Sequence, residues 1–300
     1  MDWSGVFNLS TVLNTVNTTT IVILAGLGCL LTDQAGMMNI GLDGMMVSGA
    51  FAAVVFSWLS GSWLVGVLAA LVVGLMLGAF YGVMVIRYHS DEFIIGVALN
   101  IFAVAMTTFL LRSLPGQTGG SFHPTTGAVG KMPSLQFSLG GNSFSLSIMV
   151  PISLILVACV WVMLYRMPLG FWLHASGEHP ESLRSVGRSP EQMKYLASLL
   201  CGMFCGLSGA YLSLGYLSTF TENMSASRGY VAMACVIFGR ANPVFVLLAA
   251  LLFGFVDAVG TRLQDVVDPY LTSTFPYIAT ILIMVLLAVR DQKRKRKAAG

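Results

Sequence analysis

The chain has 300 residues, of which 56% are hydrophobic and only 10% are charged, and its formal net charge at pH 7 is +3. A soluble domain carries about a quarter charged residues, so a soluble enzyme is excluded and most of the outer surface must face lipid. Six basic residues and one acidic residue lie between positions 290 and 297, which leaves the rest of the chain net negative and excludes a basic nucleic-acid-binding surface.

Stretches without Asp, Glu, Lys, Arg or His predict where the chain crosses the membrane, because a helix needs about 20 apolar residues to do so. The second stretch, 44–86, has room for two helices with a turn at 60–62. The stretch 229–239 is short for a crossing. We predict an all-α polytopic membrane protein with about nine transmembrane helices. In chain order, the predicted segments are 12–31, two within 44–86, 94–111, 148–165, 195–217, 229–239, 243–260 and 275–289.

The positions of Lys and Arg predict the side of each connection. With the basic tail in the cytoplasm, twelve of the 16 Lys and Arg residues lie on that side. An odd number of crossings then places the N-terminus outside and the C-terminus in the cytoplasm. The Gly-, Ser- and Thr-rich stretch 113–147 is expected outside, and 166–194 is expected in the cytoplasm.

These directions imply two halves of opposite orientation within a single transmembrane domain, 1–300. Each half has a glycine-interrupted second member, at 36–49 and at 227–239. Transporters place such interrupted segments at the substrate pathway, so we predict inverted repeats with broken half-helices. The parts are a first helical repeat, a linking helix, a cytoplasmic coupling segment, a second helical repeat and a basic tail, at 12–111, 148–165, 166–194, 195–289 and 290–300.

Glycines and polar residues are combined in the first interrupted segment. Gly36, Gly41 and Gly44 each weaken a continuous helix by about 1 kcal/mol relative to alanine. Asn39 and Asp43 add polar groups, and a carboxylate at mid-bilayer costs at least about 2.5 kcal/mol, so Asp43 should face protein, a cavity or water. Two interpretations stay open: an unwound joint whose half-helix turns its amides toward a pathway, or a carboxylate in the inner headgroup zone that caps its helix.

Two further residues are candidates for the pathway. Asn100 falls inside a predicted span, where an amide needs partners, so it either lines a pathway or bonds to a neighbouring helix. Gly229 begins the second interrupted segment, and Arg228 and Asp257 are expected at the membrane interface. We predict no catalytic group and no metal site, since no histidine has a metal-ligand partner at suitable spacing.

A short helix is predicted within the cytoplasmic segment. Pro180 stands at a first helical position, Glu181 lies in the first turn and Gly187 follows the end, as helix-boundary preferences require. Leu183 and Val186 are three residues apart and lie on one face. Such a short helix does not persist alone in water, so it either binds a partner or lies on the membrane surface as an amphipathic connector.

Three blocks of sequence resemble one family. They are 39–46 (NIGLDGMM), 90–100 (SDEFIIGVALN), and Arg228–Gly229–Tyr230 with 239–243 (GRANP). In type and order they look like those of the permease subunits of bacterial ABC importers for nucleosides and simple sugars, which are related to branched-chain amino-acid and ribose permeases. The resemblance covers nearly the whole chain, and Asp43 stands where this family usually has glutamate.

The resemblance implies a non-catalytic pore subunit in a bacterial cell membrane. The implied partners are a cytoplasmic ATP-binding subunit, a second permease subunit, homologous or identical, and an extracytoplasmic solute-binding lipoprotein that delivers a nucleoside or related sugar-type solute. The chain has no Gly-rich phosphate loop followed by Lys-Ser or Lys-Thr, so ATP is expected on the partner and no cofactor on this chain. The alternative is a stand-alone secondary transporter of a small polar solute, with Asp43 as the ion-binding group.

Two groups of residues receive predicted roles. The translocation pathway is predicted to include Asn39, Gly41, Asp43, Gly44, Asn100 and Gly229. In the resembling family the cytoplasmic helix fits a cleft on the ATPase, with Leu183 and Val186 as the apolar contacts. The residues predicted to couple to the ATPase are Glu178, Pro180, Glu181, Leu183, Arg184, Val186 and Gly187.

Overall fold

The computed structural model describes residues 9–115, 117–122, 129–139 and 142–263, which form ten α-helices and five short strands. The helices are α1 (Leu9–Gln34), α2 (Leu42–Ser60), α3 (Trp63–Gly82), α4 (Glu92–Arg112), α5 (Met149–Arg166), α6 (Pro168–Glu178), α7 (Pro180–Ser185), α8 (Pro190–Ala210), α9 (Arg228–Phe238) and α10 (Pro243–Leu263). The strands are β1 (Gln117–Thr118), β2 (Ser121–Phe122), β3 (Ser134–Leu139), β4 (Asn142–Ser147) and β5 (Phe220–Thr221). Two π-helical segments, Val83–Arg87 and Tyr211–Leu217, continue α3 and α8.

Seven of the described helices are long and apolar enough to cross a membrane, namely α1, α2, α3, α4, α5, α8 and α10. The helix α9 is apolar too, but its 11 residues extend only about 16 Å, against a hydrocarbon core about 30 Å thick. The segment 229–239, which is short for a crossing and was predicted as part of an interrupted member, is therefore a half-helix. The predicted span 275–289 and the basic tail lie outside the described residues.

The predicted turn between the second and third spans is confirmed. Gly61 ends α2 in the left-handed conformation, with φ of 68°, which glycine adopts without the steric cost that a Cβ would add. At the opposite end of α3, the chain turns into α4 through Asp91, whose side chain accepts hydrogen bonds from the backbone N–H groups of Phe93 and Ile94. This carboxylate supplies the acceptor that the first turn of a helix lacks.

The centre of the molecule is formed by α1, α2 and α8. Most of α1 and α8 is buried inside the chain, whereas α3, α4, α5 and α10 expose most of their apolar residues. In lipid those exposed side chains need no further cover, because the surrounding tails are as apolar as they are. Ser208 in α8 donates a 2.7 Å hydrogen bond to the carbonyl of Ile21 in α1, so the two central helices also share a polar contact.

Glycines allow α3 and α8 to touch along their backbones. A Cβ on Gly74 would lie 2.2 Å from the carbonyl oxygen of Gly202, and a Cβ on Gly202 would lie 2.1 Å from that of Gly74. One turn away, Ser198 donates a 2.6 Å hydrogen bond to the carbonyl of Gly78. Small residues at four-residue spacing are a common basis for close helix packing in membranes.

The stretch predicted outside the membrane contains strands. A two-stranded hairpin pairs β3 with β4, and a second antiparallel sheet has the order β1-β2-β5. The pairing of β2 with β5 places Phe122 opposite Phe220. These rings pack edge-on against two aromatic side chains of α2, Trp58 and Phe51, at centroid distances of 5.5 and 5.3 Å. The strands β1 and β2 are thereby fastened to the segment that leads into α9.

The segment predicted to lie in the cytoplasm contains two short helices, α6 and α7. The predicted helix at Pro180 is present as α7, and Gly187 follows it with φ of 79°. The helix α6 was not predicted, although Pro168 at its first position is the same signal that Pro180 provides.

Candidate functional site

Two irregular segments run into the centre of the molecule. Residues 35–41 join α1 to α2, and residues 218–227 lead to α9. The second segment includes Asn223, Ala226 and Ser227 at φ of 53°, 45° and 63°, a conformation that is uncommon for residues with a Cβ. Each segment thus turns sharply before a helix begins.

The N-terminal ends of α2 and α9 meet. A Cβ on Gly229 would lie 2.5 Å from the backbone nitrogen of Asp43, so glycine is required for this approach. At its other end α9 reaches the C-terminal end of α1, because Gln34 donates a 2.9 Å hydrogen bond to the carbonyl of Ala241. The meeting point therefore lies about one length of α9, about 16 Å, from the end of α1.

Asp43 joins the two helices. Its carboxylate accepts hydrogen bonds from the backbone N–H of Gly229, at 3.0 Å, and from the hydroxyl of Ser225, at 2.9 Å. The residue is 7% exposed and therefore lies in the protein interior. A helix N-terminus carries partial positive charge. The carboxylate is therefore well placed to cap α9, although Asp43 itself belongs to α2.

Arg228 and Asp257 form an ion pair beside this carboxylate. Their nearest N and O atoms are 3.6 Å apart, with side chains 21% and 32% exposed, and Arg228 also donates to the carbonyl of Ser225 at 3.4 Å. Each residue therefore has a partner within the protein, and the expected place of the two at the membrane interface stays a prediction. Two carboxylates thus share the neighbourhood of one guanidinium, which offsets part of their desolvation cost.

Asn100 of α4 caps the other helix. Its side-chain oxygen accepts a 2.7 Å hydrogen bond from the N–H of Gly44, and its amide donates to the carbonyl of Ile40 and the hydroxyl of Tyr230 at 3.0 and 2.9 Å. One amide therefore ties α4 to α2 and to α9. Bonding to neighbouring helices is one of the two roles left open for Asn100, and it is the role that Asn100 has in this structure.

Asn39 and Gly41 shape the irregular segment before α2. Asn39 is fully buried, accepts a 2.9 Å hydrogen bond from the N–H of Gly41, and donates to the thiol of Cys201 in α8 at 3.3 Å. Gly41 in turn lies against α4, where a Cβ would stand 3.4 Å from the carbonyl oxygen of Gly96. All six residues predicted for the pathway therefore lie around the place where α2 and α9 meet, which we call the joint.

The joint is closed by its own polar groups. The half-helix amides that were expected to turn toward a pathway are engaged by Asp43 at the start of α9 and by Asn100 at the start of α2. In a low-dielectric interior such charge-assisted bonds are strong and their loss is costly. The six residues can rearrange only if these bonds break or exchange partners.

The predicted coupling residues lie on and around α7, but Leu183 does not face outward. Leu183 is 3% exposed and packs into the interior of the chain, whereas Val186 is 75% exposed. The expectation that both residues are apolar contacts for an ATPase is therefore wrong for Leu183, whose side chain is covered by this chain itself. A helix this short needs such a buried side chain to stay attached to the protein. Arg184 pairs with Glu191 of α8, and Glu178 lies 3.3 Å from His174. Pro180 begins α7 and Glu181 lies exposed in its first turn.

Sequence reasoning missed the partners across the joint. Asp43 and Gly229 are 186 positions apart, and no local spacing signals their contact. The glycine interruptions at 36–49 and 227–239 were the available signal. They indicated which two segments matter, but not that Asp43 bonds to Gly229.

Comparison with known proteins assigns the family. Residues 11–288 match the family described as branched-chain amino acid transport system / permease component. A guanosine ABC transporter permease protein of Bacillus subtilis is 30% identical over 279 residues, covering 88% of this chain and 87% of the relative. A nucleoside ABC transporter permease protein of Lactococcus lactis subsp. cremoris is 25% identical over 89% of this chain and 88% of the relative.

A glucose ABC transporter permease protein of Haloferax volcanii is 27% identical over 92% of this chain and 75% of the relative. No solved structure gives a significant match. The family match and the apolar helices confirm the resemblance recognised in the sequence and the location in a membrane. The chain therefore belongs to the family of permease components of branched-chain amino acid transport systems, as the membrane-spanning, non-catalytic subunit of an ABC transporter.

Proposed function

We propose that this permease subunit translocates a nucleoside, or a related sugar-containing solute, through the joint between α2 and α9. The observation that carries the proposal is the buried carboxylate of Asp43 between the N-termini of α2 and the half-helix α9. Transporters use such discontinuous helices near the bilayer midplane at the substrate site. The six residues Asn39, Gly41, Asp43, Gly44, Asn100 and Gly229 are proposed to border the pathway when the joint opens.

The substrate class rests on the relatives. Those of Bacillus subtilis and Lactococcus lactis are named for guanosine and for nucleosides, and the one of Haloferax volcanii for glucose. A nucleoside contains both a sugar and a base, so it presents hydroxyl groups and ring nitrogens. Asp43, Ser225, Asn100 and Tyr230 offer the carboxylate, hydroxyl and amide groups that would exchange their present bonds for bonds to such a solute.

The proposed assembly contains three kinds of partner. A cytoplasmic ATP-binding subunit binds and hydrolyses ATP, a second permease subunit completes the pore, and an extracytoplasmic solute-binding lipoprotein delivers the solute. The proposed orientation has the N-terminus outside and the C-terminus in the cytoplasm of a bacterial cell. It follows from the basic tail and from the Lys and Arg residues of the segment 166–194.

The proposed mechanism is alternating access. Movement of the ATP-binding subunits is passed to α6 and α7 and from there to the joint, where the bonds of Asp43 to Gly229 and Ser225 break and re-form. The segments 35–41 and 222–227 supply the room for this movement, because they are neither helical nor paired as strands and can change their backbone angles without breaking a helix or strand ladder. The chain itself forms no covalent bond with the solute.

Reconstitution tests this function directly. The chain is purified with the candidate ATP-binding subunit and second permease subunit, placed in proteoliposomes, and supplied with the binding protein and radiolabelled guanosine. We expect uptake that requires ATP and all of the subunits. Accumulation of guanosine by this chain alone under an H⁺ or Na⁺ gradient would overturn the proposal in favour of a secondary transporter.

Cross-linking tests the coupling surface. A cysteine at Val186, which is 75% exposed, is expected to cross-link to the ATP-binding subunit in the assembled complex, in a background where the exposed Cys159 is replaced by serine. The matched control is a cysteine at Leu183, three residues away and 3% exposed, which we expect to cross-link at least tenfold less, since an exposed thiol is far more accessible to the reagent. Equal yields from the two positions, or none from Val186 in an active complex, would argue against coupling through α7.

A further inference from the structure

The inner end of α1 holds a polar contact that is not explained by the joint itself. Gln34, the last residue of α1, bonds in two directions. Its amide nitrogen donates to the carbonyl of Ala241 at 2.9 Å, and its amide oxygen lies 2.6 Å from Nδ1 of His174 in α6. A carbonyl oxygen only accepts, so the nitrogen of Gln34 must face Ala241, and Nδ1 of His174 must donate to the oxygen.

The same place brings α6 into direct backbone contact with the segment before α2. A Cβ on Gly36 would lie 2.7 Å from the Cα of Gly177, and a Cβ on Gly177 would lie 2.7 Å from the backbone nitrogen of Gly36. Two glycines are therefore required for α6 to pack against the chain where it leaves α1. Any displacement of α6 acts on the first residues of segment 35–41, which leads to Asp43.

The other bond of Gln34 reaches the second half of the joint. Ala241 lies in the turn between α9 and α10, where both Arg240 and Ala241 have positive φ, 49° and 52°. Such angles are unfavourable for residues with a Cβ, so the turn depends on its hydrogen bonds. The N–H of Ala241 donates to the carbonyl of Val236 within α9, and its own carbonyl accepts from Gln34. The C-terminal end of α9 is thus tied to the end of α1.

The contact around Gln34 lies where both arms of the joint are anchored. The two arms of the joint are the segment 35–41, which leads into Asp43 at the start of α2, and α9, which carries Gly229 at its start. Both arms are anchored at the same spot, the first by Gly36 against Gly177 and the second by Ala241 against Gln34. The helix α6 touches this spot through His174 and Gly177 and continues directly into α7.

We propose that Gln34 is a positioning residue that links α6 to both arms of the joint, so that movement of the cytoplasmic segment opens or closes the contact between Asp43 and Gly229. This inference rests on the proposed function, since it requires that α6 and α7 receive the movement of an ATP-binding subunit. Gln34 does not touch the solute. Without the hydrogen bonds of Gln34, a movement of α6 is no longer passed on to α9 and to the turn that follows it.

Substitution of Gln34 by leucine tests the proposal in the reconstituted complex. Leucine keeps most of the volume and removes both hydrogen bonds. We expect the amount of guanosine taken up per ATP hydrolysed to fall at least tenfold, while the hydrolysis rate and the yield of assembled complex stay within about twofold of the wild type. The matched control is Gln192→Leu at an exposed position on α8 at the same end of the molecule, which should leave this ratio unchanged.

A second variant keeps the test decisive if Gln34→Leu fails to assemble. His174→Phe removes the bond between α6 and Gln34 and leaves the bond to Ala241 intact; the His174 side chain is 54% exposed, so the fold should tolerate the change. We expect it to lower the ratio of uptake to hydrolysis as well. The double variant should be no worse than Gln34→Leu alone, because both changes break the same link.

The outcomes separate this inference from the proposed function. Wild-type complex that hydrolyses ATP without importing guanosine would contradict the proposed function. Wild-type complex that imports guanosine, together with Gln34→Leu and His174→Phe variants that import as much per ATP, would overturn the role of Gln34 alone. Equal losses of hydrolysis and uptake in both variants would also overturn it, since they indicate a purely structural role.

Discussion

Replacing Asp43 with alanine is expected to lower ATP-driven uptake at least tenfold. The substitution leaves the N–H of Gly229 and the hydroxyl of Ser225 without their acceptor, and each buried group left unsatisfied costs about 1–3 kcal/mol. It also removes a negative charge near Arg228, whose ion pair with Asp257 remains. A tenfold change in an equilibrium corresponds to about 1.4 kcal/mol, so the loss of both bonds, at about 1 kcal/mol or more each, shifts the joint away from its closed arrangement by at least that factor.

The test of the Asp43 prediction measures uptake and thermal stability in the same preparation. Asp43→Glu is the matched variant, because it keeps the carboxylate and adds one methylene; we expect uptake within about threefold of the wild type. Asp43→Asn should fall between the two, since its amide oxygen still accepts one bond but the negative charge near Arg228 is lost. Wild-type uptake by Asp43→Ala, at normal levels of membrane-inserted protein, would contradict a role of this carboxylate in transport.

Replacing Gly202 with alanine is expected to prevent α3 and α8 from packing. The added Cβ would stand 2.1 Å from the carbonyl oxygen of Gly74 and 2.9 Å from the Cα of Gly78, and these are backbone atoms that cannot rotate away. The helices must therefore separate along the whole contact, which also stretches the hydrogen bond from Ser198 to Gly78. Overpacking of this kind costs about 1–3 kcal/mol or more, and here it falls on a central helix.

Size-exclusion chromatography and thermal unfolding of the detergent-purified protein measure this effect. We expect at least a fivefold lower yield of monodisperse Gly202→Ala protein and a midpoint of thermal unfolding lower by several degrees, since about 1 kcal/mol shifts the midpoint of a protein of this size by about 2–4 °C. Gly61→Ala is the control: a Cβ there meets nothing within 4 Å, and only the φ of 68° is strained, which costs about 1–2 kcal/mol. A Gly202→Ala protein as stable as Gly61→Ala would show that the backbone contact is not needed.

Much of the fold is readable from one-dimensional features. The charge-free stretches predicted the spans that became α1 to α5, α8 and α10, and the turn at Gly61, because a membrane helix needs a fixed length of apolar residues. Proline and glycine indicated α7 in the same way. The short run 229–239 indicated the interrupted member that contains the half-helix α9, but an apolar run does not tell where its polar neighbours go.

The candidate site is readable only in part. The glycines and polar residues of the interrupted segments indicated where the helices break, since a broken helix in a membrane exposes amides that need partners. The identity of those partners was not available from sequence. Asn100 and Asp43 were recognised as unusual, but their bonds to Gly44 and Gly229 cross to other helices.

For α7 too, the sequence predicted the helix but not which of its side chains is buried. Leu183 and Val186 lie three residues apart and are equally apolar in a sequence pattern, yet one is 3% and the other 75% exposed. A helix of six residues is too short for its pattern to say which face meets the protein, so the packing of the neighbouring α6 and α8 decides it.

By itself, the amino-acid sequence determined the membrane environment, the helical class, the positions of the breaks and the family. These follow from hydropathy, segment length and short motifs, which act locally along the chain. Only the tertiary structure decided that Asp43 caps α9, that Arg228 pairs with Asp257, and that Gln34 bonds to both His174 and Ala241. The reason is that a buried amide or charge must be satisfied within the membrane, while the group that satisfies it depends on which helices pack side by side.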